Sequence, residues 1–570
     1  MAVALNLPKN ALFALCSLLL CSVNAFAQVD AGALQQGLKN QLPSPSPLEL
    51  PTPSEPPSGR VFSPRGEGMQ VIIHTFELEG VKTLPEEKVQ ETLAPWRGVP
   101  VTFDDLQKAC NAIAQLYREH GYTVQATLPP QKITNGVLKI LVTEALLGAV
   151  LVDTPRGETR FSKELAAEYI TYSNPIGATL NGGALDRALV ILNETPGVMV
   201  TGSLEPGEND GETALRLQLT QPPLFNANIG ANNYGSRTTG ANQGVIGLAV
   251  NNPMGYGDFI GINGVSSVGS QYIQGNYSLP GSKDGLRLGI SGTYLQYKNV
   301  SNYTINGGTG DAWTTGVSAA YPLLRTQAIN LNSTINYDIK SYNNRNTITN
   351  TVTSAYNIND LTLGLSGNTY DSFLYGAISR GSLSFILGQL EIINSSQTLY
   401  TPSNFTKVTF STNRNQLLSE DGNTSLDLSV SGQFSSANLN SAEQFYLGGP
   451  FGVRAYPVVQ AGGAQGGLVS FELAQKLHQD FSVSTFFDAG VVQQYKNTYP
   501  GWQGLTNANN TYSLMGAGFG AKWQYESCSL GAIIAWKVGS NPLYSASGQA
   551  VNVDGTTTNP RGWLNASCQM

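Results

Sequence analysis

The sequence predicts a transmembrane β-barrel of about 16 antiparallel strands, preceded by a short helix and two small α+β modules. Three observations carry this. Only 12% of the 570 residues are charged, against about 25% in soluble globular proteins. From residue 225 onward, apolar and polar residues alternate in segments of roughly 10–13 residues, the length a tilted strand needs to span a bilayer. Charge density also halves near residue 223: residues 28–222 hold 15 Lys+Arg and 23 Asp+Glu, whereas residues 223–570 hold 16 of each. The two parts therefore face different surroundings.

The same numbers exclude other classes. After the N-terminus there is no apolar stretch of about 18 residues, as a helical membrane protein would carry. A chain with 41% hydrophobic residues and 25 Tyr is not disordered. A net charge of −7 argues against nucleic-acid binding. Three histidines, far apart, and the lack of CxxC, HExxH, GxSxG or P-loop motifs leave no catalytic, metal or cofactor site to propose.

The elements follow in order. Residues 1–27 read as a secretory signal peptide: Lys9 charges its start, Ala11 to Cys21 form the apolar stretch, and Ala25-Phe26-Ala27 is an A-x-A cleavage site. A first transmembrane helix would need to be longer, and bulky Leu20 disfavours a lipoprotein signal on Cys21. Residues 28–42 suit one short helix, marginal in water without a docking surface. Residues 43–70 form a Pro/Ser-rich linker whose proline-dense part, about 17 residues at roughly 3 Å each, could reach on the order of 50 Å.

Residues 71–145 read as a β-α-α-β-β module. Pro85-Glu86-Glu87 open one helix with a proline and two acids in its first turn. In the next, Leu106, Cys110, Ile113 and Tyr117 fall on one face and Gly121 ends it. Residues 146–222 repeat the order, with Leu185, Ala188, Leu189 and Leu192 as a helical stripe.

Residues 223–570 carry the alternation. In 329–340 one face holds Ile329, Leu331, Ser333, Ile335, Tyr337 and Ile339, and the other Asn330, Asn332, Thr334, Asn336, Asp338 and Lys340. In 481–490 the apolar face includes Phe481, Val483, Phe487 and Ala489, opposite Ser482, Ser484 and Asp488, with Phe486 as the exception. A soluble sandwich or β-helix would also alternate. Long segments, aromatic residues near segment ends and sparse charge favour a barrel. Sixteen segments begin near Phe225, Gly244, Asp258, Tyr272, Leu286, Trp313, Ile329, Leu361, Ala377, Thr406, Thr424, Leu468, Phe481, Ser513, Ser527 and Gly562. Cys528 and Cys568 share the lipid-facing parity of the last two and lie at similar height; they form either a disulfide or two free thiols.

This order of parts resembles the outer-membrane transporters of two-partner secretion, the TpsB (ShlB/FhaC/HecB-type) family. GYTVQATLPPQKITNGVLKILVTEA is similar to the end of a family POTRA domain, and YLGGPFGVRAYP to the family's lumen-loop motif. Phe487-Asp488-Ala489-Gly490 resembles its barrel-strand motif FDxG. The resemblance implies that a loop carrying Gly448, Gly449, Val453, Arg454 and Tyr456 folds into the lumen. There Arg454 pairs with Asp488, on a wall segment that includes Phe487 and Gly490. Ala455 stands where the family has glycine, which puts the close backbone approach there in question. The chain ends Ser-Cys-Gln-Met, not in the aromatic residue common to such barrels.

The resemblance further implies periplasmic POTRA modules, a lumen plug at 28–42 and export of a large exoprotein (TpsA-type, with an N-terminal secretion domain) through a monomeric pore in the outer membrane of a Gram-negative bacterium. Its lipid is the other partner; no cofactor, metal, nucleic acid or enzymatic activity is expected. Cargo capture falls to module edges at 122–128, including Tyr122 and Val124, and at 198–204, or to a groove beside Leu106, Ile113 and Tyr117, a stripe that equally suits plain core. A barrel-assembly factor of the same superfamily and a passive porin are the alternatives; the plug and the count of two modules speak against the first, the presence of modules against the second.

Overall fold

The computed structural model describes residues 29–39, 41, 70–209, 211–300, 307–326, 328–395, 400–503, 509–540 and 551–570. The signal peptide and nearly all of the Pro-rich linker lie outside these residues. Helix α1 (Ala31–Lys39) starts on Asp30, whose Oδ1 accepts from the Ala33 N–H at 2.9 Å.

The first module comprises β1 (Val71–Ile72), β2 (Thr75–Glu79), α2 (Glu86–Thr92), β3 (Pro100–Val101), α3 (Phe103–Glu119), β4 (Val124–Thr127) and β5 (Val137–Glu144). Thr102 and Asp105 cap α3 reciprocally, a capping box. The three hydrogen bonds Asp105 receives from Thr102 and Lys108 hold its carboxyl down to about 2. The continuous strand expected at 71–80 is broken. Residues 71–72 pair with 100–101, and only β2 joins the sheet, parallel to β5, with β4 antiparallel at the edge. The second module repeats this with β6 (Leu146–Asp153), α4 (Lys163–Ser173), α5 (Gly182–Asn193), β7 (Met199–Pro206) and β8 (Glu212–Thr220). Its sheet order is β6-β8-β7, leaving β7 at an edge.

Sixteen antiparallel strands then close into a barrel. They are β9 (Phe225–Asn232), β10 (Gln243–Asn251), β11 (Phe259–Ser267), β12 (Ser270–Pro280), β13 (Arg287–Lys298), β14 (Gly308–Arg325), β15 (Ile329–Asn346), β16 (Thr351–Asp371), β17 (Ala377–Ser395), β18 (Asn404–Leu417) and β19 (Thr424–Ser435). After a long loop holding β20 (Phe445–Tyr446) and β21 (Gly462–Gly463), the wall resumes with β22 (Gln465–His478), β23 (Phe481–Gln493), β24 (Thr511–Tyr525), β25 (Cys528–Val538) and β26 (Arg561–Gln569). Cys528 faces Cys568 in register and is joined to it by a disulfide.

Four strands run far past the expected length: β14 to β17 have 18 to 21 residues. At about 3.3 Å per residue these rise past a hydrocarbon layer of roughly 30 Å even when tilted. Alternation missed the early part of β16 for a physical reason. Leu363 and Leu365 point outward and are exposed, but above them Tyr356 and Ile358 point inward and are fully buried. The apolar face switches sides, so an outward-facing pattern begins only at Leu361.

The second module sits on the periplasmic turns. Arg160 Nε donates to the Asn252 carbonyl at 3.1 Å, Arg187 Nη2 donates to the Pro322 carbonyl at 2.5 Å, and Arg325 pairs with Glu194 at 2.7 Å.

Candidate functional site

The loop between β19 and β22 turns back into the lumen. Strand pair β20–β21 forms its neck. Beyond the neck the Val453 N–H donates to the Leu447 carbonyl at 2.7 Å and the Gly449 N–H to the Tyr456 carbonyl at 3.2 Å, folding the tip on itself. Gly448 is needed there, since a Cβ would lie 2.2 Å from the Pro457 carbonyl oxygen. Val453 and Tyr456 are fully buried in the tip's core.

The tip presents Arg454 to the barrel wall. Its Nε donates to Asp488 Oδ2 at 3.0 Å and its Nη2 to Oδ1 at 2.8 Å, a bidentate pair. The Arg454 backbone N–H adds a third bond to Oδ2 at 3.0 Å. Ser470 donates to Oδ1 at 2.7 Å, so Asp488, 0% exposed, has its charge and lone pairs satisfied. Arg454 also reaches Glu472 at 2.5 Å. Its guanidinium lies 3.4 Å from the centroid of Phe486, and its carbonyl accepts from the Trp563 indole N–H at 2.7 Å. Phe486, the exception to the alternation over 481–490, is therefore a stacking platform for the cation.

Gly490, on the lumen face with Asp488, leaves room for Leu447, whose Cδ2 would lie 2.5 Å from a Cβ there. Phe487 points outward, as its place on the apolar face predicts, is 38% exposed, and against the expectation for this wall segment takes no part in the pairing. The close approach put in question by Ala455 is kept by a glycine on the opposite partner. Ala455 packs against Gly516, where a Cβ would lie 2.8 Å from the Ala455 Cβ. Gly516→Ala is expected to lower export several-fold through overpacking, and Ala455→Gly in the same chain to restore it. Equal export by the single and double variants would show that the contact has no role.

Helix α1 lies in the lumen against this loop. Leu34 and Leu38 pack among buried residues that include Tyr297, Tyr342, Tyr356 and Val459. The Ala31 N–H donates to Asn344 Oδ1 at 3.0 Å, Gln35 donates to Thr293 at 2.9 Å, and Ser441 donates to Asp30 at 2.7 Å. The inward apolar patch on the upper wall is thus the seat of the helix.

On the periplasmic side the two modules are fastened at Glu144. Its carboxylate accepts from the Lys82 and Thr83 N–H groups, both at 2.9 Å, from the Thr83 hydroxyl at 2.6 Å, from Tyr117 at 2.9 Å, and from Thr179 of the second module at 3.1 Å. Burial opposes its charge, but these bonds outweigh it and hold the carboxyl below the ordinary range. Burial and the neighbouring carboxylate push the Tyr117 phenol up.

The family model for the haemolysin secretion/activation protein ShlB/FhaC/HecB matches residues 211–523. The chain belongs to this family. The ShlB-type POTRA domain matches residues 71–145. Among ShlB/FhaC/HecB-related proteins, the heme/hemopexin transporter protein HuxB of Haemophilus influenzae strain ATCC 51907 is 27% identical over 530 residues, covering 87% of this chain and 89% of its own. The hemolysin transporter protein HpmB of Proteus mirabilis is 24% identical, covering 76% of this chain and 78% of its own. The solved structure of CdiB from Escherichia coli superposes with a TM-score of 0.72 at 18% identity, with 100% of both chains covered. As a ShlB/FhaC/HecB member this chain is an outer-membrane transporter of two-partner secretion, its POTRA modules in the periplasm.

The structure brings together Gly448, Gly449, Val453, Arg454, Tyr456, Asp488 and Gly490. It does not open a groove beside Leu106, Ile113 and Tyr117: all three lie in the first module's core, at 4%, 0% and 0% exposure. Tyr122 and Val124 are half-buried against that core, and Tyr122 bridges to Asn181 of the second module. Sequence reading missed Ser470, Glu472 and Trp563. Only Glu472 left a signal, a lone carboxylate within an otherwise uncharged stretch of strand.

Proposed function

We propose that the chain exports a TpsA-type exoprotein, recognised through an N-terminal secretion domain, by capturing it as an extended strand on the periplasmic modules. Helix α1 then leaves the lumen, and the cargo threads out through a single barrel. The observation that carries capture is the free edge of β7. Asn193 occupies the main-chain groups of Val200, accepting from its N–H at 2.8 Å and donating to its carbonyl at 3.0 Å. Main-chain direction alternates along an antiparallel strand, so Gly202 and Leu204 also turn their groups away from β8. Both are exposed, and Leu204 is 52% so. An added strand bonds there through main chain alone, which suits a cargo of loosely defined sequence.

Leu204→Pro removes one outward donor and leaves the ladder to β8 intact. Export of the large exoprotein into the medium is expected to fall several-fold, with the barrel still inserted. Undiminished export would remove β7 from capture, and export that does not depend on this chain at all would remove the function.

A further inference from the structure

Between the helix and the barrel wall lies a cluster of buried charges that the Arg454 site does not use. Glu443 ends the one-turn helix Ser441–Glu443 in the lumen loop. Its carboxylate meets Lys340 and Lys407, each at 2.7 Å, and Lys340 also meets Asp360 at 2.5 Å. The side chain of Glu443 is 2% exposed and that of Asp360 3%. The four paired groups set two cations against two anions, with Lys39 of the helix and Asp338 of the wall near enough to interact with them, and the main chain is held too: Lys407 Nζ and Gln433 Nε2 both donate to the Glu443 carbonyl at 3.0 Å.

The two preceding residues of the same turn carry helix α1. Ser441 donates to Asp30, and the Gln36 amide donates to the Ala442 carbonyl. Gly32 lies so close that a Cβ would be 2.8 Å from the Ala442 Cβ. No residue of the helix contacts the Arg454–Asp488 pair through a hydrogen bond or ion pair among the described residues.

We propose that Glu443 is a positioning residue for the gate: it fixes the turn on which the helix is seated, so that release of the helix is controlled here and separately from the Arg454 fastening. This rests on reading α1 as the plug of the pore. Neutralising Glu443 leaves two lysines sharing Asp360 in a dry site, an arrangement that must take in water or shift. The turn then loses its position, and the helix its seat. By linkage the effect runs both ways: departure of the helix uncovers the charges and loosens the turn.

The test is single-channel conductance of the full chain in planar bilayers. Glu443→Gln is expected to raise the open fraction ~10-fold, within the usual range of site-to-site coupling, and Glu443→Asp to stay near the parent. With residues 29–41 deleted, the pore is expected to open, and Glu443→Gln to add nothing further. If the deletion opens the pore but Glu443→Gln leaves it closed, the latch is wrong and the plug reading stands. An equal increment with and without the helix also overturns the latch. A deletion that opens nothing sinks the plug reading and the latch with it. If Glu443→Gln does not insert, Ser441→Ala with Gln36→Ala removes the helix contacts without touching charge; it must open the pore, and a closed pore refutes the proposal.

Discussion

Arg454→Ala will abolish export while the barrel remains in the outer membrane. Removing the guanidinium leaves Asp488 fully buried with no cation to balance it, served only by the Ser470 hydroxyl and the backbone N–H of residue 454. Breaking a buried pair from one side costs about 3–5 kcal/mol, because a charge is left uncompensated in a dry site. The wall itself is closed by main-chain bonds between sixteen strands and does not depend on the loop. The cost therefore falls on loop position. Lysine will not substitute: it cannot form the two-pronged contact to Asp488 while reaching Glu472 and lying flat on Phe486. Immunoblots of the medium and heat-modifiability of the membrane fraction read the two outcomes. Parental export by Arg454→Ala would show that the fastening is structural ornament.

Glu144→Ala will unfasten the two periplasmic modules. Five donors converge on this carboxylate: three from the loop at residues 82–83, one from α3 and one from the second module. Each buried donor left without an acceptor costs about 1–3 kcal/mol, and water entering the gap recovers part of that. Amide exchange at Leu180 and Gly182, whose N–H groups bond to Ala145 and Gly121 across the joint, is expected to accelerate at least tenfold, about 1.4 kcal/mol. Export should fall with it. The parent has a matching pH dependence. A carboxyl lowered in the folded state stabilises the joint above its ordinary value of 4.5, and that stability is lost as pH falls below it. Protection of the two amides, their exchange rate relative to the intrinsic rate at each pH, should therefore fall on acidification through that range in the parent and change little in Glu144→Ala. Identical profiles would exclude Glu144 as the group responsible.

The strands and their number were readable because a lipid-facing wall imposes a period of two on every segment. Where that wall rises past the membrane and seats a helix, the apolar residues turn inward, as Tyr356 and Ile358 do, and the pattern inverts. The helical stripe of Leu106, Ile113 and Tyr117 was readable as a stripe, but periodicity cannot tell a core face from a binding groove. The Arg454–Asp488 pair could be anticipated from two short motifs. The cluster of Lys340, Lys407 and Glu443 could not, since its members are separated by up to 103 residues and each alone looks like a solvated lumen charge. The same holds for Gly516, whose purpose appears only when Ala455 is placed against it.

The last strand is attached unequally on its two sides. Toward β25 it has eight residue pairs and the Cys528–Cys568 bond; toward β9 it has five, extended by main-chain bonds of Ala227 with Met570 and of Asn233 with Leu564. Neighbours elsewhere in the wall share as many as 18. Considered as a strip bent into a hoop, the molecule has a closure weaker than its weave, with a rivet placed one row in from the hem. Force that widens the hoop would meet least resistance between β26 and β9, and the rivet would keep the hem from unravelling behind it.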